Sequence, residues 1–409
     1  MSILILESLP QSRLKALLDH LGEIEDPREP WRVAHPLPEV LFLVVCGTIC
    51  DCDDYEGIAE WGEAHLSFLR RYLPYHHGVP GARWLTLLMN RINPALFAAA
   101  FTDWVRATWP ERPDLVAIDG KTSRRSHDRK AGQAPLHLVS AFATTSRLVL
   151  GQEAVADKEN ETGAIPVLLE RLAEKEGLKG ALVTIDAIAT NPTIAAAIRK
   201  AGADYLLAVK ANQPTLRAEI EALFAEAAPE TLDTCTDLDK GHGRIEERMV
   251  SVAREVDWLS GERRFPGELR LPAVASLVRV VSRTELKDRG RFETRYYISS
   301  APLSAARASE AVRGHWGIEN RLHWVLDVVF ADDQSRLRKG HGAHNMAVAR
   351  HFALNLVRSA ADLPRPGRSP LKRGPKPGSK PKPTSLKLRR KMAAWNTTYM
   401  QHVLGDLTR

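Results

Sequence analysis

Apolar and polar positions follow different periods along this chain, and the changes of period mark out its parts. Leucines at helical spacing in RLKALLDHL predict a helix within residues 8–24. After the polar break DPREPWRVAH, residues 37–50 are predominantly apolar and read as a buried helix. DDYEGIAEWGEAHLSFLRRYL is amphipathic, with Asp53 or Asp54 placed to cap it. HHGVPGARW reads as a turn, WLTLLMNRI as a helix leading toward NPALF, and FTDWVRATW as a connector. Residues 1–100 are thus expected to form an all-helical N-terminal domain.

The period then shortens. DLVAID, LHLVSAF, SRLVLGQEAV, ALVTID and DYLLAVK are short apolar runs, interleaved with the helix-like AIPVLLERLAEKEG, TIAAAIRKAG and LRAEIEALFAEA. Strands alternating with helices of this length predict an α/β domain, whose first part spans 111–228. In HGRIEERMVSVAREV, SLVRVVSRTEL and TRYYISS, β-branched and aromatic residues alternate with charge, so 229–302 reads as a mostly β insertion packed by Trp258 and Phe265. RASEAVRGHWGIENRLHWVLDVVF returns to helical spacing, and HGAHNMAVARHFALNLVRSA is a long helix expected to pack beside the core, closing it over 303–360.

Three acids stand out against this pattern. Asp119 and Asp186 each end an apolar run, so each carboxylate belongs at the end of a buried strand. Glu319 lies in the later helix, with His323 four residues on along the same face and His315 one turn before. Two strand-end carboxylates and one from a helix can converge on a single pocket. Hard divalent cations take oxygen ligands, and two such ions clamp both oxygens of a phosphoryl displacement. The pattern points to metal-dependent phosphodiester chemistry.

The same residues carry a resemblance. IDGKT at 118–122, HLVSAF at 137–142, AIPVLLE at 164–170, VTIDA at 183–187, GADYLLAVKANQPTL at 202–216, HGRIEER at 242–248, HWGIENRLHWVLDVVF at 315–330 and DDQSR at 332–336 together resemble a DDE transposase of the H-repeat-associated (ISAs-type) insertion-sequence family. The helical segment from DPR at 26–28 resembles the same class. The resemblance implies an RNase H-like core in which Asp119, Asp186 and Glu319 are catalytic and hold two Mg²⁺ or Mn²⁺ ions. It implies cutting at element ends and joining of 3′-hydroxyl ends to target DNA. The partners would be double-stranded DNA with terminal inverted repeats, target DNA, and further copies of the chain in a dimer or larger assembly. The alternatives are an inactive or domesticated DNA-binding descendant and a stand-alone nuclease of RNase H type.

Around the acids, Lys121 and Lys210 read either as phosphate contacts or as solvated lysines, and Arg313, His315, Asn320 and His323 as DNA-positioning residues or supports for Glu319. Related transposases carry a Tyr-Arg-Glu-Lys signature, but His315 and Leu326 occupy its arginine and lysine places here, so that signature does not transfer. Asn191, before Pro192, stands where the family has glutamine, and Gly81–Trp84 departs from the family pattern after the turn proline.

Charge adds one more region. The net charge is +7, yet residues 364–391 hold eleven Lys or Arg, seven prolines and no acid. With a short C-terminal helix, 361–409 is expected as an extended basic tail, its Lys372, Arg373, Arg389 and Arg390 meeting the phosphate backbone. Cys46, Cys50, Cys52 and Cys235 make no persuasive disulfide or metal framework and are expected as reduced, structural residues. The most apolar run is too short to span a bilayer, and no leader is recognisable, so a cytoplasmic bacterial protein is expected, nucleoid-associated when bound to DNA.

Overall fold

The structure is a computed structural model that describes residues 12–128, 130, 132–155, 161–187, 190–241, 244–259, 268–285, 290–362 and 383–406. They fall into two compact units. One comprises Met1–Trp109, Arg124–Ala131 and Val325–Arg409, and the other Pro110–Ser123 and Gly132–Trp324.

The helical unit begins with α1 (Arg13–Gly22), whose Ser12 hydroxyl accepts from the Lys15 amide. In α2 (Leu37–Ile49) all residues but Pro38 are buried, Glu39 and Thr48 among them, as a helix apolar on most sides requires. α3 (Tyr55–Ala64) is capped by Asp54, which accepts from the Gly57 amide at 2.8 Å. α4 (Ala82–Met89) precedes α5 (Pro94–Thr108), and here one expectation fails. FTDWVRATW is not a connector but the second half of α5. Asn93 caps this helix, Pro94 tolerates its first turn, and Phe97, Phe101 and Trp104 are buried along it.

The second unit is built on one nine-stranded sheet in the order β3-β2-β1-β4-β5-β9-β8-β7-β6. Its first five strands are β1 (Leu115–Thr122), β2 (His137–Ala143), β3 (Leu148–Val155), β4 (Leu182–Ile185) and β5 (Asp204–Val209). β2 and β3 run antiparallel beside β1, and β4 and β5 run parallel to it. Between them come α6 (Glu161–Ala173), α7 (Pro192–Lys200) and α8 (Pro214–Glu226). This is a mixed α/β fold with the expected RNase H-like core.

The β region forms no separate body. β6 (Asp233–Gly241), β7 (Arg244–Ala253), β8 (Ser276–Glu285) and β9 (Gly290–Ser299) make an antiparallel ribbon, and β9 pairs with β5, so the sheet continues through it. Trp258 is 37% exposed, and its neighbour Leu259 takes the packing position instead. Phe265 lies outside the described residues.

Strand parity divides the sheet into two faces. Val116, Ile118, Val183, Ile185, Tyr205 and Leu207 point into one cluster, roofed by apolar residues of α6, α7 and α8. Leu115, Leu182, Leu206 and Ala208 point into the other, covered by Ala308, Ala311 and Val312 of α9 (Ala305–Ile318). Gly314 lets α9 lie close on β1, since a Cβ there would sit 2.5 Å from Leu115 Cδ2.

The chain then completes the helical unit. α10 (Gly342–Ser359) was expected beside the sheet core; it packs instead against α2, α4 and α5. Every residue from Asn345 to Val357 is buried, a degree of enclosure that only helices on several sides supply. α11 (Leu386–Trp395) and α12 (Thr397–Leu404) pack on α10 as well. The last residues are therefore not all a basic tail: 383–406 belong to a folded body, while Lys372 and Arg373 lie outside the described residues. Cys46 and Cys50 are buried in this unit and all four cysteines are unpaired. Among the described residues no helix is long and apolar enough to cross a membrane.

Candidate active site

The period-two rule explains why the acids meet. Asp119 shares parity with Leu115, and Asp186, one residue past β4, continues the parity of Leu182 and Thr184. Ile118 pairs with Ile185 across the parallel ladder, so the two aspartates emerge side by side on the face that α9 covers. Glu319 follows α9 directly. Asp119, Asp186 and Glu319 line one cavity of about 430 Å³, together with His315, Lys210 and Trp316.

The chain is helical from Ala305 to Val329, as expected, but its winding changes at Glu319. Glu319–His323 winds as a π-helical turn between α9 and a short helix, Trp324–Val329. The wider turn leaves Leu322 and His323 buried while Glu319 stays open to the cavity. His323 Nδ1 lies 3.4 Å from Glu319 Oε2 and 3.6 Å from Asp119 Oδ2.

The two aspartates sit in different fields. Burial pushes the Asp119 carboxyl up to about 6, opposed by His323 and reinforced by Glu319. Glu319 is held below its usual range, first by its hydrogen bond with His323. At Asp186 burial acts upward, but the Lys210 ammonium and the Ala187 amide outweigh it, and the carboxyl is lowered. Lys210 Nζ reaches Asp186 Oδ1 at 2.7 Å, and Ala187 N–H donates to the same oxygen at 2.7 Å. His315, lowered by burial, has its Nδ1 3.1 Å from Thr184 Oγ1.

The other anticipated residues divide. Lys121 shares the parity of Asp119 on β1. Arg313 and Asn320 line a neighbouring groove of about 1240 Å³ that shares Arg295 and Trp316 with the cavity. Arg313 pairs there with Asp237 and Asp239 on β6, and Arg248 and Arg295 pair with Glu246 and Glu293. These groove arginines are thus largely neutralised by neighbouring acids. Asn191 accepts from the Ile194 amide at 2.9 Å and caps α7, with Pro192 in the first turn, a local reason for Asn-Pro at this place.

Arg389 and Arg390 are corrected. Arg390 is fully buried in the helical unit. It donates to the carbonyls of Thr48 and Val329, pairs with Asp51 and Asp53, and lies 4.2 Å from the Phe330 ring. Arg389 donates to the carbonyls of Val357, Arg358 and Ala360, satisfying the open end of α10. Neither guanidinium is available to a phosphate.

A buried network escaped the sequence reading. His137 Nε2 lies 2.6 Å from Glu161 Oε1, and its Nδ1 lies 2.8 Å from Thr122 Oγ1. The pair fills the space beside Gly120, where a Cβ would come within 2.5 Å of Glu161 and 2.6 Å of His137. Only glycine fits next to Asp119. A histidine opening an otherwise apolar strand was the available signal.

Comparison with known proteins agrees with this geometry. The family described as "Transposase DDE domain" matches residues 110–356, and one described as "DDE_Tnp_1-associated" matches 18–105. "H repeat-associated putative transposase YhhI" of Escherichia coli (strain K12) is 36% identical over 84% of this chain and 90% of its own length. "Putative transposase YncI" of Escherichia coli O157:H7 is 34% identical over 96% of this chain and 95% of its own. Among solved structures, a piggyBac transposase synaptic complex with hairpin DNA aligns over 97% of this chain and 81% of its own at 10% identity, with a TM-score of 0.40, too distant to add weight. By sequence family this chain is a DDE transposase of the H-repeat-associated class.

Proposed function

We propose that this transposase cuts DNA at the ends of its element and joins the freed 3′-hydroxyls to target DNA, using Asp119, Asp186 and Glu319 with divalent metal. The convergence of these three carboxylates on one cavity carries the reading. The donor set fits a hard cation. Asp119 and Glu319 stand close enough to share a hydrogen bond, and burial raises the proton affinity of Asp119, so positive charge between them is favoured. Mg²⁺ or Mn²⁺ ions bound there would activate the attacking water or hydroxyl and stabilise the departing 3′ oxygen.

The chain's own groups supply the rest. Lys210 holds Asp186 in its anionic form and stands at the cavity wall, where a phosphate can compete for its ammonium. His315, braced on Thr184, packs behind Asp186. The groove beyond Trp316 offers a path for the DNA, its arginines exchanging carboxylate partners for phosphates.

The test is cleavage of a labelled duplex bearing the element's terminal repeat, in Mg²⁺ or Mn²⁺, by wild type and Glu319→Gln. Metal-dependent cutting at the repeat boundary by wild type alone is expected. Specific binding with no cut by either protein would move the assignment to an inactive descendant. Cutting of hybrid or branched substrates alone would mark a stand-alone nuclease.

A further inference from the structure

The acids do not stand in the cavity as three equivalent ligands. Asp186 already has both carboxylate oxygens engaged, with Lys210 at 2.7 Å and 2.9 Å and the Ala187 amide at 2.7 Å. The third member of the tight cluster is a histidine. One ligand atom each from Asp119, Glu319 and His323 lie within 4.8 Å of one another.

His323 is 5% exposed, yet its Nδ1 is directed at carboxylates. Its Nδ1 stands 3.4 Å from Glu319 Oε2 and 3.6 Å from Asp119 Oδ2. Its Nε2 is buried with no hydrogen-bond partner among the described residues. The π-helical turn Glu319–His323 sets both of its end residues toward Asp119 on β1. Atoms bound to one ion at about 2.1 Å stand roughly 3.0–3.5 Å from each other, which the two Nδ1 separations approach.

Resting on the metal-dependent reading above, we infer that His323 is a nitrogen ligand, through Nδ1, of the ion that Asp119 and Glu319 hold. The site is then a mixed nitrogen–oxygen site, with Asp186 reached only when Lys210 is drawn away. Imidazole suits the later first-row ions better than the hard ones, so Co²⁺ gains most, and Mn²⁺ only slightly, over Mg²⁺ and Ca²⁺ relative to an all-carboxylate site. Without an ion, His323 Nδ1 stands within reach of both carboxylates in the same place.

The full-length protein is titrated with Mn²⁺ alone and followed by electron paramagnetic resonance, with pulsed measurement of nitrogen-14 coupling. Modulation from one imidazole is expected in wild type. It should persist in His315→Asn, which controls for the other histidine of the cavity, and vanish in His323→Gln, with Mn²⁺ affinity reduced roughly tenfold or more. His323→Asp should restore binding and move the preference toward Mg²⁺ and Ca²⁺, a result that loss of folding would not produce. Mn²⁺ binding that depends on Asp119 and Glu319 but shows no nitrogen coupling in wild type would overturn the ligand assignment alone, as would coupling that survives His323→Gln. No saturable Mn²⁺ binding by wild type would overturn the metal reading and this inference with it.

Discussion

Charged side chains are buried in both units of this protein, but their surroundings differ. In the helical unit, Arg390 is wrapped by the Thr48 and Val329 carbonyls and two aspartates, and Arg350 pairs with the buried Asp332 at 2.5 Å. Each of these partners is a fixed group of opposite or complementary polarity. In the sheet unit, Asp119 is half-buried beside another acid, Glu319, with a third nearby at the cavity wall, and desolvation shifts its carboxyl upward. A buried charge that the fold satisfies serves the fold. One that the fold leaves short of positive charge is suited to a ligand.

This contrast fixes what substitution should do in each place. Asp119→Asn, Asp186→Asn and Glu319→Gln are each expected to lower end cleavage at least about a hundredfold, with the fold kept. Full cleavage by all three in Mg²⁺ would sink the site assignment. Arg390→Ala is expected to do the reverse, costing about 2–5 kcal/mol of stability by leaving a cavity and unpaired Thr48 and Val329 carbonyls. Urea denaturation reads this, and an unchanged midpoint would reopen Arg390 as a DNA contact. Glu161→Ala leaves His137 Nε2 unpaired beside Gly120 and should cost about 1–3 kcal/mol; no change in the midpoint would show that water replaces the carboxylate.

The last effect is a pH slope. Unfolded, Asp119 releases its proton near 3.8, but folded only near about 6. Between these values the folded chain holds more protons, so metal-free stability falls as pH rises through this window and stays lower above it. Asp186 has the opposite sign, since its lowered carboxyl adds stability that is lost as pH falls, though its exposure makes the contribution small. Melting curves across this range should show the Asp119 slope vanish in Asp119→Asn; an identical slope would place the titration elsewhere.

How much of this was legible beforehand depended on the range of the interaction. Leu115–Thr122, Leu182–Ile185 and Asp204–Val209 lie where their apolar runs indicated, because strand formation draws on local pattern. FTDWVRATW looked like a connector because its amphipathic face matters only once Trp104 has partners to bury against. Arg389 and Arg390 looked like part of a basic tail because composition counts charge without knowing which carbonyls will be left open at the end of α10.

The site divides in the same way. The sequence by itself determined the α/β core, the two strand-end aspartates and the glutamate that follows α9, since each follows from periodicity and from a resemblance written in contiguous blocks. Only the tertiary structure decided that Asp186 faces Lys210, that a π turn brings His323 to Asp119, and that Glu161 and His137 fill the space beside Gly120. Those contacts join residues 24, 204 and 24 positions apart, between Asp186 and Lys210, Asp119 and His323, and His137 and Glu161. Local pattern can say which face a side chain takes, but burial and neighbouring charge exist only after the faces have met.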